Sequence, residues 1–319
     1  TMPSFGKAAM KIFEALAQDY VAGAIVLIQP KACGTSAGDL LESGLGGVAK
    51  KVHGRVVAGE YRPIIGAHRS SNPWTSKYEY PYLVLPDTHG PLRRFLKLRA
   101  LYPSIIGIQG LLRDIKGYFK RFPVAPESVK YVAVSVPAHS LQSQEGQGAP
   151  ESVALPAFTA VSLVLQFGIS GAPGASSPFS AAIATTVNSY RPPDPILNGP
   201  FNFEVHTWID DSVSIEPDVG TVRQPLALSL LVGAMRGLGG DAVSGKYRET
   251  YKDSLFYWGL EHRLSGDCPT VGISEGKLET AKLRLGNTAF DEGSRGVAVS
   301  ELQGLYGALA HWCSTSNAG

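Results

Sequence analysis

The most specific chemical pattern in the sequence is a spacing of glycine and lysine near residue 240. Gly240, Gly245 and Lys246 match the phosphate-binding loop of nucleotide-binding proteins, in which backbone N–H groups and the lysine contact phosphates. The next residue of that loop is Ser or Thr, because its hydroxyl binds Mg²⁺, but Tyr247 occupies this position. Nucleotide binding through residues 240–246 is therefore an alternative interpretation, and a surface loop is the favoured one.

Two adjacent carboxylates, Asp210 and Asp211, follow Trp208 in an apolar stretch. Successive residues of a strand point to opposite faces, so a single strand over residues 201–215 would keep the two side chains apart. We therefore interpret them as the end of a strand or as the site of a stray cation. His206 precedes them, and we interpret it as a surface histidine of an alternating strand rather than as a metal ligand.

The remaining reactive residues form no recognisable catalytic cluster. Gly168 and Ser170 depart from the nucleophile motif Gly-x-Ser-x-Gly, because Ala172 replaces the last glycine and Gly171 lies one position early. The cysteines and the other histidines show no ligand spacing: Cys33, Cys268, Cys313, His53, His68, His89, His139, His262 and His311. We therefore predict no catalytic, cofactor-binding or metal-binding residue, no cofactor, and a protein that is not an enzyme.

The composition favours a protein that associates with other chains. Only 18% of its 319 residues are charged, below the average of about a quarter, while Gly and Pro number 36 and 22. Interfaces of obligate oligomers contain less charge than free surface, so we favour an oligomer over a loop-rich monomer. The net charge of +2 is too small to favour nucleic-acid or membrane binding through the overall field. The basic residues between 93 and 121 are interpreted as a solvated face.

Hydrophobic periodicity predicts three helices and a series of short strands. The helices cover residues 4–20, 90–101 and 300–312. Apolar or alternating stretches bounded by Gly, Pro and Ser predict strands over residues 21–28, 55–65, 78–85, 110–122, 129–136, 158–167, 179–190 and 201–215. The uncharged region 152–190 contains several Gly and Pro residues, so we predict no membrane-spanning helix there. Strands of this kind, joined by turn-rich loops, predict an antiparallel two-sheet sandwich.

The order of these elements resembles that of jelly-roll capsid proteins of picorna-like viruses. The resemblance lies in the helix at 90–101, a Gly-Leu-Leu-Arg strand, a Lys-x-Val-Ala strand ending in Pro, and a last strand with Trp and acidic residues: Gly110, Arg113, Lys130, Val132, Ala133, Pro137, Trp208, Asp210 and Asp211. It implies an eight-stranded jelly roll over residues 76–220, with an N-terminal arm and first strands over 1–75 and a C-terminal extension over 221–319. It also implies assembly with homologous capsid chains into an icosahedral shell around single-stranded RNA, in the virion and in the host cytoplasm during assembly.

A second interpretation is a β-sandwich module that binds a glycan or RNA. Trp208, Tyr78, Tyr80 and Tyr82 would then form a stacking platform, although a strand core or a subunit interface accounts for them equally well. Such a module would stay monomeric or small while it binds a soluble ligand, whereas a capsid protein would form megadalton particles. The jelly roll alone does not decide between them, because lectins and cupin enzymes share it.

Overall fold

The computed structural model divides the chain into two compact units, each built from separate stretches of sequence. It describes residues 4–29, 40–52, 55–67, 72–74, 80–81, 89–142, 152–219, 222–239, 250–286 and 298–316. The first unit comprises Thr1–Lys51, Val56–Leu83 and Gly117–Pro178, and the second comprises Val52–Arg55, Val84–Lys116 and Phe179–Gly319. The domain limits inferred from the sequence, 1–75, 76–220 and 221–319, stay a prediction.

Helices and short strands alternate along the described residues. The helices are α1 (Phe5–Val21), α2 (Gly90–Leu101), α3 (Ala172–Ser189), α4 (Arg223–Gly237), α5 (Glu275–Leu285) and α6 (Val299–Ser316). The strands are β1 (Ile25–Ile28), β2 (Glu42–Val52), β3 (Arg55–Gly66), β4 (Ile108–Asp114), β5 (Ala133–Val136), β6 (His139–Gln142), β7 (Ser152–Leu155), β8 (Phe158–Ser162), β9 (Pro193–Asp194), β10 (Gly199–Pro200), β11 (Val205–Trp208), β12 (Asp211–Pro217), β13 (Ser254–Tyr257), β14 (Leu260–Arg263) and β15 (Thr270–Ile273). The three predicted helices are confirmed as α1, α2 and α6.

A five-stranded sheet packed against α1 forms the core of the first unit. Its strand order is β1-β8-β5-β2-β3, with β2 parallel to β5. Helix α1 buries Phe5, Ala8, Ala9 and Ile12, which share one face at helical spacing. A Cβ added to Gly47 of β2 would lie 2.3 Å from the Cβ of Ala8, so the helix approaches the sheet too closely for any larger residue there.

The second unit contains two three-stranded sheets. One has the order β11-β12-β4 and the other β13-β14-β15. Helices α2 and α4 pack on β12, and the buried side chains of α4 recur at every fourth position. The core joins the two sheets, because Leu112 and Val213 of the first cluster with Leu255 and Tyr257 of the second. Strands β4 and β12 therefore lie within the core of this unit.

The predicted jelly roll is wrong. A jelly roll packs two antiparallel sheets face to face, whereas the described residues form separate sheets of two to five strands, the largest with a parallel pair. Residues 179–190 were predicted as a strand, but they continue helix α3, in which Ile183 and Val187 are buried at helical spacing. Helices therefore occupy sequence that a sandwich needs as strands.

Several predicted strands differ in extent from those observed. The strand predicted over residues 55–65 is confirmed as β3. Of the strand predicted over residues 110–122, only the part up to Asp114 belongs to a strand, β4, and Tyr118–Arg121 form a 3₁₀ helix. The apolar residues 226–235, which precede the glycine-rich stretch near residue 240, are helical, whereas a phosphate-binding loop follows a strand. Most of the predicted strand 78–85 and all of the loop 240–246 lie outside the described residues. Within the described residues, no helix combines the length and apolarity needed to span a membrane.

A buried histidine makes the second unit sensitive to acid. His262 is 1% exposed and stacks on the ring of Tyr257, with 3.7 Å between ring centroids. Neither ring nitrogen of His262 has a hydrogen-bond partner among the described residues. Burial lowers the pKa of His262 from 6.5 to about 3. Between these two values the unfolded chain binds a proton that the folded chain does not, so stability falls as the pH drops below 6.5.

Replacing His262 by Phe is expected to remove this acid sensitivity. Between pH 7.5 and 5.0 the wild-type chain should lose about 2 kcal/mol of unfolding free energy through this group, whereas a Phe ring keeps the stacking without titrating. Urea unfolding of both chains at the two pH values measures the loss of unfolding free energy in each. The difference between the two losses isolates His262, because the carboxylates that also titrate are the same in both chains. Equal losses in both chains would contradict the assignment.

Candidate active site

Two paired strands place three aspartates close together. Asp114 is the last residue of β4 and Asp211 is the first residue of β12, and the antiparallel register sets them opposite each other. On the other side of β12, Trp208 of β11 lies opposite Asp211. Asp210 therefore lies in the short turn that connects β11 to β12.

The turn between β11 and β12 has strained backbone. Ile209 adopts a φ angle of 57°, a left-handed conformation that a β-branched residue rarely takes. Two hydrogen bonds hold the turn: Ser180 Oγ of α3 donates to the Ile209 carbonyl, and the Ile115 N–H donates to the Asp210 carbonyl at 3.2 Å. Strain of this kind persists only where the surroundings enforce it, and it concentrates at functional sites.

The three carboxylates form a cluster of oxygen ligands. One oxygen from each of Asp114, Asp210 and Asp211 lies within 4.8 Å of the other two, and all three residues are half-buried. Carboxylate oxygens are preferred ligands of the hard cations Mg²⁺ and Mn²⁺. Mg²⁺ usually keeps several waters, which the partial exposure of these side chains permits. The cluster therefore fits divalent cations, whose charge would offset the repulsion between the carboxylates.

The geometry inferred from the sequence for Asp210 and Asp211 is wrong. A single strand over residues 201–215 would separate the two side chains, but the chain reverses at Ile209 and both carboxylates meet Asp114. A strand of that length far exceeds the usual length of about five or six residues. This excess length is a feature of the sequence that could have indicated a hairpin. Asp114 was missed because it lay inside a longer predicted strand.

Further along β12, a fully buried carboxylate binds two arginines. Glu216 Oε1 accepts a hydrogen bond from Arg94 Nη2 of α2 at 2.9 Å, and its Oε2 accepts one from Arg223 Nε of α4 at 2.7 Å. The three side chains are at most 3% exposed. Burial raises the pKa of Glu216, although both guanidinium groups oppose that rise. These charges tie two helices to the strand that begins with Asp211.

A second carboxylate extends this buried network. Arg223 Nη1 lies 3.3 Å from Asp194 Oδ2, which also accepts a hydrogen bond from the Tyr102 hydroxyl. Asp194 Oδ1 accepts hydrogen bonds from the N–H groups of Ile196 and Leu197 at 2.9 and 3.0 Å. Burial raises the pKa of Asp194, but the hydrogen bonds and the Arg223 charge outweigh it and hold the pKa below its usual value. The loop before β11 is therefore fixed to the same network.

His206 makes contacts separate from the three aspartates. Its Nε2 lies 3.2 Å from Glu204 Oε1, and this close contact, followed by the charge of Arg94, lowers the pKa of Glu204 against the opposing effect of burial. The ring also covers the start of α2, where a Cβ on Gly90 would lie 2.7 Å from it. The predicted surface histidine is thus mostly buried, at 16% side-chain exposure.

The structure describes only some of the other residues singled out in the sequence. The basic residues between 93 and 121 were predicted to form a solvated face. This prediction is wrong for Arg94 and Arg113, which are fully buried. The ring of Trp208 contacts that of Trp258, with centroids 5.1 Å apart. Tyr78, Tyr82 and residues 240–246 lie outside the described residues.

The glycine-rich segment before α3 has a structural explanation. The Asn72 side chain donates to the Gly168 carbonyl at 2.8 Å and accepts from the Ser170 N–H at 2.9 Å. A Cβ on Gly171 would lie 2.3 Å from the ring of Tyr80, so this tyrosine packs directly on the segment. No nucleophile motif is formed by these described residues.

Replacing Ser180 by Ala is expected to weaken Mn²⁺ binding at the three aspartates about tenfold, because losing a partner that orients metal ligands costs roughly ten- to a hundredfold in affinity. The variant loses the hydrogen bond that holds the Ile209 carbonyl. Ser180→Thr keeps a hydroxyl and should restore binding. Calorimetric titration with Mn²⁺ measures the effect.

A serine further along the same helix provides the control for Ser180. Ser189 Oγ donates only within α3, to the Thr186 carbonyl at 2.9 Å, so Ser189→Ala should bind Mn²⁺ like the wild type. Equal affinity in Ser180→Ala and Ser189→Ala would refute a role for Ser180 in positioning the turn.

Comparison with known proteins relates the chain by fold alone. No family model matches the sequence, and no curated protein matches it. Among solved structures, the foamy viral protease-reverse transcriptase dRH in complex with double-stranded DNA is similar, with a TM-score of 0.52 and 13% sequence identity. The match covers 96% of this chain and 40% of that chain, so this chain spans less than half the length of its neighbour. The neighbour is a viral enzyme, whereas this chain was predicted not to be one; at 13% identity the likeness shows the fold alone.

Proposed function

We propose that this chain extends a nucleic-acid primer by metal-dependent nucleotidyl transfer, with Asp114, Asp210 and Asp211 as the ligands of the cations. The observation that carries the proposal is the convergence of these carboxylates within 4.8 Å at the ends of two paired strands. Polymerases use two divalent cations about 4 Å apart to hold the attacking and leaving oxygens of an in-line displacement. The spacing of the aspartates suits such a pair of cations.

The likeness of fold supports a template-directed polymerase over other metal-dependent enzymes. The similar structure is a protease-reverse transcriptase bound to double-stranded DNA. Carried to this chain, that likeness suggests a primer annealed to an RNA or DNA template as the substrate, with deoxynucleoside triphosphates as the second substrate. The low net charge of +2 does not oppose it, because a local surface rather than the overall charge would contact the duplex.

The residues of this chain would contribute geometry and charge. The bound cations would supply Lewis acidity and stabilise the developing negative charge. A bond forms between the primer 3′ oxygen and the α-phosphorus, the bond to pyrophosphate breaks, and the proton of the 3′ hydroxyl passes to solvent. Asp114 and Asp211 would hold the cations from adjacent strands, and Asp210, which follows the strained Ile209 in the turn, would supply the third carboxylate.

An aromatic pair beside the aspartates supports a nucleic-acid substrate. Trp258 and Gly259 form the turn between β13 and β14 with φ angles of 49° and 79°, and this turn brings Trp258 to the ring of Trp208. Trp208 directly precedes the strained turn. Aromatic rings at such a site offer stacking surfaces for bases or sugars of the primer end.

Primer extension tests the proposed function directly. The purified chain is incubated with a labelled DNA primer annealed to an RNA or a DNA template, four deoxynucleoside triphosphates, and Mg²⁺ or Mn²⁺. Elongation that follows the template sequence and stops on chelation is expected. A primer that is shortened would indicate a nuclease instead, and a folded chain that binds Mn²⁺ without extending either primer would contradict the proposal.

The capsid interpretation rested on a jelly roll that the fold does not contain. Association with sister capsid chains, enclosure of RNA and residence in a virion stay predictions, and the mass of particles isolated with the protein would test them. A glycan- or RNA-binding sandwich loses its structural basis for the same reason. Nucleotide binding through Gly240 and Lys246 concerns residues outside the described part of the chain.

A further inference from the structure

The first unit contains a cavity of about 450 Å³ between the second half of α1 and the five-stranded sheet. Its lining includes one buried side chain from each strand of that sheet: Ile25, Leu45, Ile65, Val134 and Ala160. Ala15 and Leu16 of α1 line it from the helix side. The volume lies within the range of sites that enclose small organic molecules, and the lining favours an apolar ligand body.

The charged side chains that line this cavity carry one net positive charge. Lys120 Nζ contacts both carboxylate oxygens of Asp19, at 2.6 and 2.8 Å, so these two charges neutralise each other. Arg62 also lines the cavity and is exposed. Among the residues that the structure describes, Arg62 has no ion-pair partner. A guanidinium in this position binds carboxylate, sulfonate or phosphate groups through charge-assisted hydrogen bonds.

We propose that this cavity binds an amphipathic organic anion with one negative charge. The apolar body lies against the side chains contributed by the five strands, and the anionic group contacts Arg62 at the cavity wall. The Asp19–Lys120 pair offers no net positive charge to a second anionic group, because the Lys120 charge is already neutralised by Asp19. This site is independent of the aspartate cluster and of the proposed polymerase activity, since all its residues belong to the first unit.

Two fluorescent probes that differ by one charge test the proposal. 1-Anilinonaphthalene-8-sulfonate carries a sulfonate, and N-phenyl-1-naphthylamine is its neutral counterpart. The full chain should bind one molecule of either probe per chain in a saturable manner. Arg62→Gln should weaken the binding of the anionic probe about tenfold, because a charge-assisted hydrogen bond is lost. The affinity for the neutral probe should not change. Arg236→Gln removes an exposed arginine outside the cavity and should change neither affinity.

A variant at the cavity wall tests the location without disturbing the core. Val48 lines the cavity and is 49% exposed, so Val48→Trp should fold normally, which circular dichroism verifies. The larger side chain should obstruct the cavity and weaken the binding of both probes. Lack of saturable binding in the wild type would overturn the proposal. Equal effects of Arg62→Gln and Arg236→Gln, or probe affinities unaffected by Val48→Trp, would overturn it as well.

Discussion

Replacing Asp210 by Asn is expected to slow metal-dependent primer extension by about a thousandfold or more, because a lost metal ligand removes several kcal/mol of transition-state stabilisation. Asn keeps the shape of the side chain but lacks the negative charge that holds a divalent cation. Asp114→Asn and Asp211→Asn are expected to cause losses of the same order, since each carboxylate supplies one oxygen of the cluster. Single-turnover extension rates at saturating Mg²⁺ measure the effect.

Thermal unfolding separates a loss of chemistry from a loss of fold in these variants. A variant that unfolds at the wild-type midpoint but extends the primer slowly has lost chemistry and kept its fold. Asp267→Asn is the matched control, because Asp267 belongs to the same unit and its side chain is 79% exposed. Wild-type extension rates in Asp210→Asn would disprove the metal assignment.

Replacing Glu216 by Gln is expected to destabilise the chain by about 3 kcal/mol, because it removes one carboxylate from a buried ion-pair network and leaves arginine charge that Asp194 and Glu204 offset only in part. Gln preserves the volume of the side chain, so the loss reflects charge and hydrogen bonding. Two arginines are affected at once, since Arg94 and Arg223 bind opposite oxygens of the same carboxylate. Urea unfolding measures the shift in midpoint, with an unchanged slope indicating that the compactness of both states is preserved.

An exposed ion pair in the same unit provides the comparison for Glu216. Arg263 Nε lies 3.3 Å from Glu261 Oε1, with side-chain exposures of 64% and 37%. Glu261→Gln should therefore change the unfolding free energy by about 0.5 kcal/mol or less. If Glu216→Gln shifted the midpoint no more than Glu261→Gln, the buried network would not have the structural weight inferred for it.

Helices with a clear apolar stripe could be predicted from the sequence. The stretch 90–101 was predicted as a helix and forms α2 over the same residues, because its apolar positions recur at helical spacing and proline follows shortly after its end. In α1, Phe5, Ala8 and Ile12 mark one face in the same way. Local periodicity is enough in such segments, since the buried face depends on near neighbours in the chain.

Helices rich in small or uniformly apolar residues were not recognised. Helix α3 contains Ser180, Ile183 and Val187 on its buried face, but the Ala and Thr between them blur the contrast between faces. The Pro at position 178 lies inside this helix and argued locally against it. In α4, apolar residues also lie between the buried positions of the sequence, so the pattern fits a buried strand as well as a helix.

The aspartate cluster could not be predicted because it depends on contacts distant in sequence. The register that sets Asp211 opposite Asp114 joins β12 to β4, which are far apart along the chain. The reversal at Ile209 carries no Gly or Asn, the residues that normally mark a two-residue hairpin turn. Apart from the unusual strand length, local rules therefore favour an uninterrupted strand there, and the tertiary environment of the turn decides otherwise.

The interleaving of the two units in the sequence constrains how the gene can be divided. Asp114 precedes Gly117–Pro178 and Asp210 follows it, yet both aspartates belong to the second unit whereas Gly117–Pro178 belongs to the first. During translation, the ribosome must synthesise that whole stretch before the second half of the aspartate cluster emerges. A gene cut anywhere between codons 117 and 178 would split the first unit and place the aspartates on different polypeptides, so reconstitution would require both fragments to fold together.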